Sequence, residues 1–127
     1  MGASVTYLLD SVILIDHFYG VPQATRFLER HGSDAAISAI TRAEVLAGFD
    51  DDDAPHARLL LDRLRFLPMD ARVADEAARL RRRTRLKLPD AIQAAFAAVH
   101  GLKLATRNVK DFAPGRFGFV VEPYRLR

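Results

Sequence analysis

The chain has 127 residues, a size that supports one domain with a buried core. Half of its residues are hydrophobic and 28% are charged, and the formal net charge is +3 with a pI of about 9.7. It contains no cysteine, which excludes disulfides and thiolate metal sites and is compatible with a reducing compartment. Its apolar runs fall far short of the roughly 20 residues that a membrane helix needs. Its N-terminus lacks the basic and apolar pattern of a signal peptide. The expectation is a cytoplasmic protein of one domain, residues 1–127, with no membrane segment. The basic excess suits a polyanionic partner, and equally an arginine-rich proteome.

Along the chain, Val5–Leu9 is short, apolar and partly β-branched, and predicts a strand. Ser11–Tyr19 and Pro22–His31 predict helices separated by Gly20 and Pro22. Ala35–Ile40 predicts a second strand, Thr41–Phe49 a helix and His56–Phe66 another helix. Phe66–Met69 fits a short strand, and Arg72–Arg85 a strongly charged helix. In Pro89–Gly101, Ile92, Ala95, Phe96 and Val99 recur at helical spacing on one face, and Gly101 is placed to end the helix. Leu102–Thr106 predicts a third strand, Asn108–Phe112 a helical turn, and Phe117–Pro123 a last strand. Short apolar strands alternating with helices imply a mostly parallel sheet covered on both faces. In such sheets ligands gather at the carboxyl ends of the strands.

Four acids fall near helix starts: Asp10, Glu44, Asp90 and Asp111. Asp10, Glu44 and Asp111 each follow a predicted strand, which assigns them to the carboxyl rim of the sheet. Each acid alone is open to a capping role. Asp10 reads as an N-cap, Thr41 with Glu44 as a capping box, and Asn108 with Asp111 as a looser version of that box. Together they read differently. A right-handed parallel fold delivers successive strand ends to one edge. Like charges gathered there repel and raise one another's pKa. Helix N-termini offset part of the cost, and a divalent cation offsets more. Mg²⁺ suits carboxylate oxygens, keeps several waters and leaves room for a phosphate. Ser11, Thr106 and Asn108 are candidates to hold those waters.

Four blocks of the chain, in this order, carry a family likeness: YLLDSVILID, AITRAEVLAG, LKLPDAIQAAFA and LATRNVKDF. On them the sequence resembles the PIN domain family, and within it the VapC-type toxins of toxin–antitoxin pairs. The resemblance covers essentially the whole length. It implies an α/β/α sandwich around a parallel sheet, and an endoribonuclease dependent on Mg²⁺ or Mn²⁺. It implies Asp10, Glu44 and Asp90 as the core acids, with the ion held at Asp10 and Asp90. The fourth acidic position falls in TRNVKDF. An amide, Asn108, stands where some members of the wider family carry an acid, so the fourth role passes to Asp111. The resemblance also implies a homodimer, an RNA substrate and a VapB-like antitoxin.

Arginines offer a grip on RNA. The run from Arg79 to Lys87 is open to a substrate role or to that of a solvated helix face. Arg85, Lys87 and Arg107 lie nearest in sequence to the acids and are the candidate substrate contacts. Asp50–Asp53 read as a solvated loop, lacking the spacing of a calcium loop. Asp16 lies about 120° around a helix from Asp10, which points to a local structural role. The histidines show no metal-ligand spacing. Phe18, Phe27, Phe66 and Phe96 are expected in the core, and Phe49, Phe112 and Phe117 are candidate exposed contacts for an antitoxin segment. Two rival readings are a phosphoacceptor signalling domain and a non-catalytic RNA- or protein-binding relic of the nuclease fold.

Overall fold

The computed structural model describes residues 4–126. Five parallel strands form one sheet: β1 (Tyr7–Leu9), β2 (Ala35–Ser38), β3 (Arg65–Leu67), β4 (Lys103–Ala105) and β5 (Val120–Val121). Their order across the sheet is β3-β2-β1-β4-β5. The helices are α1 (Ser11–Phe18), α2 (Pro22–His31), α3 (Ala39–Ala47), α4 (Ala54–Leu61), α5 (Ala71–Arg83) and α6 (Leu88–His100). The chain therefore runs outward from β1 to β3, then returns to lay β4 on the other side of β1. The boundary between β1 and β4 is a topological switch point, where loops diverge and leave a crevice.

Alternation along each strand sorts the core into two. Leu8, Ala36 and Leu104 point to one face, where they meet α5, α6, Phe112 and Phe117. Leu9, Ala35, Ile37 and Ala105 point to the other, against apolar residues of α1, α3 and α4. This is the expected α/β/α arrangement, and every strand pair is parallel because each connection between neighbours is a crossover. Among the described residues no helix is long and apolar enough to cross a membrane.

Helix α6 is the internal spine. Ala91, Gln93, Ala94, Ala95, Phe96 and Ala97 are all buried, so the helix is covered nearly all round. The small alanines allow close approach to α5 and the sheet, while Phe96 fills the space between them. Gly101 ends α6 with φ at 65°, a left-handed conformation that glycine adopts without cost.

Four sequence expectations shift. β2 stops at Ser38, and Ala39 and Ile40 belong to α3 rather than to the strand. The cap of α3 is Ser38, whose side chain accepts from the Thr41 backbone N–H at 3.1 Å. The Thr41–Glu44 capping box is thus absent, and Glu44 lies in the second turn. Phe112 and Phe117 are buried in the first core cluster, so they offer no exposed surface. Phe66, on the edge strand, is 46% exposed instead of core. Asn108–Phe112 forms a single closed turn, with the Phe112 N–H donating to the Asn108 carbonyl.

Phe96 is fully buried at the centre of the larger cluster. Phe96→Ala is expected to destabilise the fold by about 3–5 kcal/mol, read by urea denaturation. A loss under about 1 kcal/mol would contradict the central role of this side chain.

Candidate active site

Asp10 ends β1 and caps α1. Its backbone N–H donates to the Ala105 carbonyl of β4 at 2.9 Å, which anchors it at the switch point. Its carboxylate is held from three sides. Oδ1 accepts from the Ser11 N–H at 2.9 Å and from Gln93 Nε2 at 3.3 Å. Oδ2 accepts from the Thr106 hydroxyl at 2.6 Å. Thr106 therefore touches Asp10 directly, and its oxygen also accepts from the Asn108 N–H at 3.0 Å.

Glu44 projects from α3 and is exposed at the rim. Its pKa is raised, first by partial loss of solvent, then by the charges of Asp10 and Asp90, while the Ser11 hydroxyl works the other way. The pKa of Asp90, in the first turn of α6, is also raised. Partial desolvation is the largest cause, the charges of Asp111 and Asp10 add to it, and the Lys87 ammonium opposes it. Glu44 thus feels the charges of Asp10 and Asp90, and Asp90 those of Asp10 and Asp111, although the four come from separate segments. Asp111 sits in the turn after β4 and is paired with Asn108, whose Nδ2 donates to Asp111 Oδ2 at 3.1 Å. Asp90 joins the rim without a preceding strand, because α6 follows α5 directly through residues 84–87.

Sequence reasoning missed the layer beneath these acids. Ser38, Thr41 and Gln93 are buried polar residues and form one network. The Ser38 hydroxyl donates to Gln93 Oε1 at 2.6 Å, Gln93 Nε2 donates to Thr41 Oγ1 at 2.7 Å, and Thr41 Oγ1 donates to the Leu9 carbonyl at 3.1 Å. The available signal was a glutamine among the alanines of an apolar helix.

The basic candidates divide. Arg107 is engaged by Asp16: Nε donates to Oδ2 at 2.7 Å and Nη2 to Oδ1 at 2.9 Å. The Tyr124 hydroxyl donates to the same Oδ2 at 2.8 Å. Arg107 is therefore a structural tie between α1, the loop after β4 and the C-terminal segment. The role of Asp16 is correspondingly long-range rather than local. Burial alone would raise the Asp16 carboxyl, but the hydrogen bonds from Arg107 and Tyr124, with the Arg107 charge, outweigh it and leave the pKa lowered. Arg85 and Lys87 are exposed on the approach to α6. In the charged helix, Arg79 pairs with Glu76 and Arg81 donates to the Leu86 carbonyl at 3.0 Å. Asp50–Asp53 are exposed between α3 and α4, and Asp50 Oδ1 accepts from the N–H groups of Asp52 and Asp53.

Among the described residues, no three carboxylate or imidazole side chains are gathered tightly enough to enclose an ion as they stand. The donor set still fits a hard divalent cation. All four acids offer oxygen, their mutual repulsion asks for positive charge, and Mg²⁺ is commonly held through one or two carboxylates with its waters retained. The acids lie on an open rim. A groove lined by His17, Thr25, Glu29 and Arg63, and an apolar cleft lined by Ile15, Phe18, Val45 and Phe49, contain none of them.

A five-stranded parallel sheet with acids converging at its switch point defines an α/β protein with a rim suited to hydrolytic phosphate chemistry. The family model described as PIN domain matches residues 7–113, a span that includes all four acids. The chain belongs to the PIN domain family. Ribonuclease VapC10 of Mycobacterium tuberculosis is 35% identical over 112 residues, which are 83% of this chain and 84% of that protein. A chain of a toxin-antitoxin complex from Klebsiella pneumoniae superimposes with a TM-score of 0.88 at 38% identity, covering 95% of this chain and 100% of that one. A chain of FitAcB from Neisseria gonorrhoeae reaches 0.78 at 26% identity, with 95% and 100% covered.

Asp16→Asn is expected to cost about 2 kcal/mol, since it weakens a charge-assisted pair that is only partly open to water. The lowered pKa means that this stabilisation is present above the ordinary value of 3.8 and is lost as pH falls through the folded value. Urea titrations at pH 7 and at pH 3 check both points, and the variant should differ less from wild type at the lower pH. Asp90 has the opposite sign. Its raised pKa means that the fold favours the protonated acid, so its contribution is greatest below 3.8 and declines as pH rises through the folded value. Without divalent ions at pH 7.5, Asp90→Asn should therefore melt no lower than wild type in differential scanning calorimetry.

Proposed function

We propose that this protein is a VapC-type endoribonuclease, the toxin of a toxin–antitoxin pair, acting in the cytoplasm as a single domain and dependent on Mg²⁺ or Mn²⁺. The observation that carries this reading is the PIN domain match over residues 7–113, a span that holds Asp10, Glu44, Asp90 and Asp111, and the raised pKa values of Glu44 and Asp90, caused by desolvation and by neighbouring acids, support it. The kinship with Ribonuclease VapC10 supports RNA as the substrate. The likeness to a chain of the Klebsiella toxin-antitoxin complex supports a VapB-like antitoxin, with which the toxin forms a hetero-oligomer. A homodimer of the toxin belongs to the same reading.

In this mechanism Asp10 and Asp90 would hold the ion. When bound, it supplies positive charge against the phosphodiester oxygens and acidifies the attacking water. Thr106 and Ser11 keep the Asp10 carboxylate oriented through the bonds already described. Glu44, whose pKa is raised, takes up the proton of the attacking water as the P–O bond to the 3′ oxygen breaks, and the leaving oxygen takes a proton from solvent. Asn108 holds Asp111 at the edge of the site. Arg85 and Lys87 meet the phosphates of the RNA, giving affinity without reading sequence. An open rim, rather than an enclosed cavity, suits a polymer.

Asp10→Asn and Asp90→Asn should each lower RNA cleavage on the order of 100-fold or more, and EDTA should abolish cleavage by wild type. RNA-end sequencing after expression of wild type and Asp10→Asn measures the same loss in cells. Cleavage by both variants at the wild-type rate, or indifference to the chelator, would sink the proposal.

A further inference from the structure

Gln93 lies one turn along α6 from Asp90 and is 2% exposed. Its amide makes three hydrogen bonds, two to the start of α3 and one to Asp10. Oε1 accepts from Ser38, the cap of α3, on which Glu44 stands. Nε2 donates to Thr41 Oγ1 and to Asp10 Oδ1. One buried side chain thus joins the segments that carry Asp10, Glu44 and Asp90.

The direction of these bonds is determined by the inventory of donors. The Ser38 oxygen accepts from the Thr41 N–H, so its own hydrogen is available for Gln93 Oε1. The Thr41 hydroxyl spends its hydrogen on the Leu9 carbonyl, so its oxygen must accept from Gln93. A flipped amide would turn a carbonyl oxygen toward the Asp10 carboxylate and toward a hydroxyl with no hydrogen left. Gln93 Oε1 would then be buried without a donor and would face a carboxylate, which is costly. Gln93 is therefore locked in one orientation, with an N–H aimed at Asp10.

We propose that Gln93 is a positioning residue for the acidic site, fixing the Asp10 carboxylate so that only Oδ2 is left open toward a divalent cation. A carboxylate has about four acceptor positions, two on each oxygen. Ser11 and Gln93 occupy both on Oδ1, and Thr106 occupies one on Oδ2. The remaining position is on Oδ2. Thr41 assists from behind by pinning the Leu9 carbonyl, so Asp10 is constrained through its backbone as well as its side chain.

This inference rests on the cation-dependent reading of the site, and its test separates the two. Titration of wild type and Gln93→Leu with Mn²⁺ alone, by isothermal calorimetry, reads positioning without turnover. The leucine variant should lose about 10-fold or more in Mn²⁺ affinity. With a fluorogenic RNA oligonucleotide its kcat should fall while KM stays within about twofold. Thr41→Val and Thr41→Ser keep the test decisive if the leucine variant does not fold. The valine should lose Mn²⁺ affinity in the same way, and the serine, which restores the hydroxyl, should recover it. Wild-type Mn²⁺ affinity in Gln93→Leu, or equal affinity in the Thr41 variants, would overturn the role of Gln93 alone. A rise in KM at unchanged kcat would make Gln93 an RNA contact and overturn it too. Absence of Mn²⁺ binding by wild type would overturn the reading of the site together with this inference.

Discussion

Carboxylates repel, and this fold brings four of them to one rim. The pKa values of Glu44 and Asp90 are raised first by partial desolvation and then by the neighbouring acids. The rest of the structure is arranged to hold the charges in place. Asp10 ends the central strand, and its backbone is bonded to β4 across the switch point. Beneath it lie two hydroxyls and an amide, each paired, so the polar layer can be buried without an orphaned group.

The frame around that layer is apolar. Helix α6 is buried nearly all round, and its alanines allow it to lie close to α5 and to the sheet. Asp90 and Gln93 are presented by this one spine, so packing of the helix and geometry of the site are a single problem. On the other side of the sheet, Asp16, Arg107 and Tyr124 tie three distant parts of the chain together. Arg107 is adjacent in sequence to Thr106, and the tie steadies the loop that delivers Thr106, Asn108 and Asp111. The positive charge of Arg107 is neutralised by the tie, whereas Lys87 is exposed and its charge acts on Asp90.

Stability and chemistry pull in opposite directions at this rim. Ionised acids with raised pKa values weaken the fold at neutral pH, whereas Asp16, with its lowered pKa, strengthens it. The first effect is the one expected where a site keeps charges together for function. Any cation that binds only the folded state recovers stability in proportion to its concentration and affinity.

Local patterns in the sequence determined much of this protein. Helix α2 runs from Pro22 to His31 as its punctuation implies, and the cores of β1, β2 and β4 lie within the apolar runs that predict them. The alternation of strand and helix implied a parallel sheet, and the position of Asp10 at the end of the first strand was legible at once. Periodicity and capping are short-range signals, so they place elements and the acids at their ends. Tertiary structure alone decided what bonds across the chain. Ser38 displaced Thr41 as the cap of α3 because β2 ends where its pairing with β3 ends, at Ser38 opposite Leu67. Phe112 and Phe117 went inside because α5, α6 and the sheet enclose them. Arg107 found Asp16, and Gln93 found Asp10, across separations that no local pattern encodes. Hydrogen-bond partners are chosen by proximity in space, and proximity is set by how the sheet and helices pack.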